Sequence, residues 1–155
     1  MLKKYLMTKE QRNPAIFLPL SLRFAKEYLK QFCEMRKKYT DEKIQESKEL
    51  TIIHRALWTA LLVEMRKLFE NSEFDNHSLK KTGFFKQEPY KSKVDKIFGD
   101  ADMNKLLKTA YTFTTHLSKN KEKVYSVSEI CNSKLEKLLN ELQGSMDIFE
   151  RSAQN

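Results

Sequence analysis

Apolar residues recur along most of this chain at intervals of three and four, the spacing of helix faces and not of strands. Behind "NPAIFLPLS" the positions Phe24, Tyr28, Phe32, Met35 and Tyr39 form one stripe. Leu22, Ala25, Leu29 and Cys33 form a second beside it. A face this wide packs against more than one neighbour. Tyr39-Thr40-Asp41 reads as a break or cap, followed by a second helix over about 41–70. Its start, "DEKIQESKE", is polar. "LTIIHRALWTALLVEMRKLF" is then apolar on most sides, with Leu50, Ile53, Leu57, Leu61 and Leu68 in line and Ile52, Ala56 and Val63 on a flank. That pattern places the helix at the centre of a bundle. Glu64 falls on the Leu57–Leu61–Leu68 stripe, where a carboxylate must be paired or at work.

Residues 71–88 read as the longest irregular connection, with Ser78 able to start a short helical turn. Ser92 with Asp95 predicts the cap of a short helix ending at Gly99, and Asp100 the cap of the next. That next stripe is Met103, Leu106, Leu107, Ala110, Phe113 and Leu117. "SKNKEK" reads as a loop, and Ser126 with Glu129 as a capping box. The last helix presents Ile130, Cys131, Leu135, Leu138, Leu142 and Phe149. The pattern therefore predicts one all-α domain spanning residues 1–155, an up-and-down bundle of four to five helices with its core at about 20–150.

Composition narrows this further. Three glycines and three prolines are too few for a turn-rich β architecture. The apolar runs are too short for a bilayer, and the opening "MLKKYLMTKEQRNP" is too polar for a signal peptide, so the expected setting is cytoplasmic with no membrane partner. Cys33 and Cys131, 98 residues apart, predict buried, reduced thiols and neither a disulfide framework nor a metal site. No cofactor is implied by any motif. The net charge of +8 favours anionic partners. Its excess lies mostly in residues 1–50, where 12 Lys/Arg stand against 7 Asp/Glu, including Arg36-Lys37-Lys38 at a helix end.

His54, His77 and His116 share no helical turn, so a metal site would need tertiary assembly. His116 ends a predicted helix and is followed by Lys119, Lys121 and Lys123, an arrangement suited to phosphate binding or to proton transfer near neutral pH. Thr112 lies one turn before it. The alternative is a solvated histidine at a fraying end. Trp58, at helical spacing with Leu61, Leu62, Met65 and Phe69, reads as a core or interface anchor more readily than as a base-stacking platform.

The stretch "RALWTALLVEMRKLFENSEFDNHSLKK" (55–81) resembles the second helix and following loop of the HEPN superfamily, closest to its abortive-infection branch of phage-defence and toxin-like proteins. The resemblance extends over about 20–150. It implies a four- or five-helix bundle, commonly a homodimer, in which an R-x-x-x-x-H motif builds a metal-independent ribonuclease site. The histidine activates a ribose 2′-hydroxyl and the arginine neutralises phosphoryl charge. In this sequence the corresponding segment is Tyr111 to His116, with tyrosine in place of the arginine. Tyrosine donates a hydrogen bond but brings no positive charge. Arg55, Arg66 and Lys119 are the cations that could substitute, and Glu64 matches an acidic residue that would orient His116. The resemblance thus implies a catalytically degraded member that binds RNA or an acidic partner protein. Two alternatives stay open: an endoribonuclease using His116, Tyr111 and Glu64 with Lys119, Lys121, Arg66, Arg55 and Thr112 on the nucleic acid, and a dimeric structural adaptor.

Overall fold

The computed structural model describes residues 14–69, 78–115, 130–131 and 134–153, with side chains 111–115 left out of the description. Among these residues there are six α-helices, two 3₁₀ turns and no strand. They are α1 (Pro14–Lys38), α2 (Asp41–Glu46), α3 (Lys48–Phe69), the turns Leu79–Lys81 and Gly83–Lys86, α4 (Tyr90–Phe98), α5 (Ala101–Thr115) and α6 (Leu135–Ala153). The all-α class expected from the apolar spacing is what forms, but with six helices among the described residues in place of four to five, because the segment expected as one helix over 41–70 divides at Ser47.

Helix α1 runs antiparallel to α3: Phe32 near its end stacks on Trp58 (5.3 Å), while Phe17 near its start meets Lys67 of α3 (5.7 Å). It also runs antiparallel to α6, as Arg23 bonds Glu150 and Cys33 meets Cys131 just ahead of that helix. Helix α5 packs on the far side of α3, and α4 bridges α5 and α6. The core is one cluster that includes Leu18, Leu22, Phe32, Leu61, Met103 and Leu142.

Several details differ from the pattern. In α1 the buried residues include Leu18, Leu22, Ala25, Leu29, Phe32 and Met35, so the inward face draws on both apolar stripes, whereas Phe24 falls outside it and is 43% exposed. The second helix does not run unbroken from 41 to 70. Ser47 takes extended backbone (φ −101°, ψ 120°) and its Oγ accepts from the Leu50 N–H at 3.2 Å, capping a new helix. Nor is α3 buried along its length: Ile52 and Ile53 are 68% and 50% exposed, and burial begins at Trp58, which is a core anchor. The predicted Ser92 cap is displaced as well. Helix α4 starts at Tyr90, and the Glu88 carboxylate accepts from both the N–H (3.3 Å) and Oγ (2.7 Å) of Ser92. Asp100 caps α5 as expected, its Oδ2 accepting from the Met103 N–H at 2.9 Å. The Ser126–Glu129 capping box lies outside the described residues.

The cysteine reading is corrected. Cys33 and Cys131 form a disulfide across a Cα–Cα distance of 5.4 Å. Separation along the chain sets no lower limit on distance in space, and the antiparallel pairing of α1 with the segment entering α6 brings the two sulfurs together.

Candidate functional site

Glu64 is the most unusual side chain in the core. It sits on α3 between the buried Leu61 and Leu68, and the residue is 8% exposed. Its Oε1 accepts from Lys67 Nζ at 3.0 Å, one helical turn on. Its Oε2 is buried with no hydrogen-bond partner among the described residues. An ionised carboxylate accepts up to four hydrogen bonds, so this one is strongly under-satisfied. The Lys67 ammonium also lies over the Phe17 ring, 5.7 Å from its centroid, and stays partly in water.

The other residues singled out from the sequence are only partly brought together. Arg55 and Arg66 are eleven positions apart, so they share one face of α3, turned by roughly 160–200° from Glu64 at about 100° per residue. Arg55 is exposed on that face and Arg66 half-buried. Tyr111 and Thr112 belong to the last turns of α5, which packs against α3. His116, Lys119 and Lys121 lie outside the described residues, as does His77. Among the described residues no group of three or more His, Cys, Asp or Glu is placed to hold a metal ion.

Sequence spacing missed a second polar cluster. Arg36, read as one of three solvated cations at a helix end, turns inward with its side chain only 17% exposed. Its Nη2 donates to Asp41 Oδ1 at 2.8 Å and its Nη1 lies 3.1 Å from His54 Nε2. A guanidinium can only donate, so Nε2 is the acceptor and the imidazole carries its proton on Nδ1. Burial, then the Arg36 charge, holds the His54 pKa below its ordinary 6.5, with Asp41 opposing. The Phe32 ring packs on His54 at 4.9 Å. This cluster ties the ends of α1, α2 and α3 to one another. Nothing in a sequence relates Arg36 to a histidine 18 positions away until the α1–α2–α3 turns are built.

The third feature is electrostatic. Residues 79–98 carry six lysines, at 80, 81, 86, 91, 93 and 96, against the two carboxylates Glu88 and Asp95. Acids at 64, 70, 73, 75 and 100 flank this stretch, so residues 51–100 as a whole carry little net charge. Glu88 is committed to capping α4, Lys96 pairs with Glu141 at 3.3 Å, and Lys91 approaches Asp95 at 4.0 Å. Lys86 and Lys93 are exposed and meet no carboxylate among the described residues. Beside them the half-buried rings of Phe84 and Tyr90 stack at 4.3 Å, and Lys80 sits 4.1 Å over the Phe98 ring. The local field is positive and next to aromatic surface, an arrangement that attracts phosphate chains carrying unstacked bases.

No family model, curated protein or solved structure matches this chain.

Proposed function

We propose that this protein is a HEPN-like helical bundle of the phage-defence, toxin or mobile-element class that acts in the cytoplasm by binding RNA or an acidic partner protein, without an Arg–His nuclease centre of the usual kind. The observation that carries the binding is the lysine concentration on the 3₁₀ turns and α4, with Lys86 and Lys93 left unneutralised beside Phe84 and Tyr90. The degraded character rests on the sequence: Tyr111 stands where the arginine belongs. A homodimer belongs to the same reading, and the exposed Ile16, Leu20 and Phe24 along α1 are apolar surface available to it.

The test is the affinity of a labelled single-stranded RNA for the wild type and for the Lys86→Glu/Lys93→Glu double variant across a salt series. Binding through this face predicts a steep loss with salt and a shallower slope in the variant, about 0.7 less per phosphate contact removed. Equal affinities and slopes would remove this face from the function.

One observation favours the nuclease reading: Glu64 is a carboxylate buried among apolar residues on α3, a position kept at a cost in stability where a side chain is retained for function. Cleavage of labelled RNA in EDTA that disappears in His116→Ala would establish it. No cleavage by either protein would leave binding as the function.

A further inference from the structure

We infer that the Cys33–Cys131 disulfide is a reversible redox latch, opened and closed by exchange with small thiols of the glutathione class. Neither sulfur belongs to the closed core. Both cysteines are half-buried and lie against it, while the cluster of Leu18, Leu22, Leu29, Leu61, Leu139 and Leu142 is contiguous without them. The bundle therefore does not depend on the bond for its packing, unlike a small secreted domain stapled by cystines. What the bond holds is local: it fixes residue 131, just ahead of α6, to the last turns of α1. Lys30 and Lys37 sit about one turn either side of Cys33 on α1, both exposed, and their charges stabilise a departing sulfur anion and attract an anionic thiol.

The exchange balances without a metal or cofactor. A glutathione-class thiolate attacks one sulfur of the pair, forms a mixed disulfide with it and releases the other cysteine as a thiolate. A second thiolate attacks that mixed disulfide and leaves as the small-molecule disulfide. Two electrons pass to the protein, and two protons from the medium complete the two cysteine thiols. In the reducing cytoplasm proposed above the latch stands open, and an oxidising episode closes it.

The experiment uses the full chain in glutathione buffers running from fully reduced to fully oxidised. Thiols are trapped under denaturing conditions with a mass-tagged maleimide, and far-UV circular dichroism and hydrogen exchange are read at each ratio. The expected result is zero tags at the oxidised end and two at the reduced end, reversibly, with a midpoint inside the buffer range. Helicity should stay unchanged on reduction, with the largest loss of protection at residues 130–131, next to the opened bond. Cys33→Ser and Cys131→Ser should each behave as the open form at every ratio. Two tags even in the most oxidising buffer would overturn the inference. So would a bond that resists all glutathione ratios, or one whose reduction by a phosphine collapses the helicity, since either makes it a structural staple.

Discussion

Glu64→Leu should stabilise this protein, although it removes the ion pair with Lys67. The native carboxylate keeps Oε2 buried without a hydrogen bond, which costs about 1–3 kcal/mol of unrecovered desolvation. Against that stands the pair at 3.0 Å, whose lysine side chain is 41% exposed, so solvent screening reduces it to about 1 kcal/mol or less. Lys67 is not stranded by the change, because its ammonium already lies over the Phe17 ring and its side chain, 41% exposed, can turn to water. Leucine also adds apolar contact between Leu61 and Leu68. The net expectation is a gain of about 1 kcal/mol, or about 2–4 °C in melting temperature for a domain of this size. Urea unfolding followed by circular dichroism at pH 7, with the disulfide kept oxidised in both proteins, measures it as a higher midpoint at unchanged slope. Glu64→Gln, which keeps the shape, should lie near the wild type. A Glu64→Leu midpoint lower by the equivalent of about 2 kcal/mol or more would refute the reasoning, since it would mean the carboxylate is satisfied and anchors the fold. If stability rises while RNA binding or cleavage falls, the strained carboxylate is being retained for function.

Phe32→Ala removes a fully buried ring that touches both His54 and Trp58 and should cost about 3–5 kcal/mol by chemical denaturation. His54 gives the stability a pH dependence: its folded pKa lies below the unfolded 6.5, so the unfolded chain binds more protons between the two values. Its contribution is therefore full above about pH 6.5 and declines as the pH falls toward the folded pKa, and a His54→Asn variant should show a flatter unfolding midpoint across that window. Asp100→Ala deletes the cap on the Met103 N–H and should cost about 1 kcal/mol, with early hydrogen exchange in the first turn of α5.

The sequence by itself determined the class of fold, because a helix announces its buried face through spacing within one segment. The C-terminal end of α1, the cap at Asp100 and the core role of Trp58 were legible for that reason, each depending on residues no more than a few turns apart, whereas the start of α1 at Pro14 lies two turns before the apolar stripes announced it. Glu64 was legible as an anomaly on an apolar stripe, but its partner was not, since Lys67 and an unfilled oxygen are matters of side-chain direction. Only the tertiary structure decided which members of the two apolar stripes on α1 face inward, leaving Phe24 outside and Leu22 and Phe32 at 0% exposure. It alone brought Arg36 to His54 and Cys33 to Cys131, contacts that depend on how antiparallel helices align across 18 and 98 residues. It also showed that six lysines spread over residues 79–98 lie on two short turns and one helix, where their fields add. Local periodicity encodes which residues want to be buried; the register between helices, set by packing of whole faces, decides which polar groups meet there.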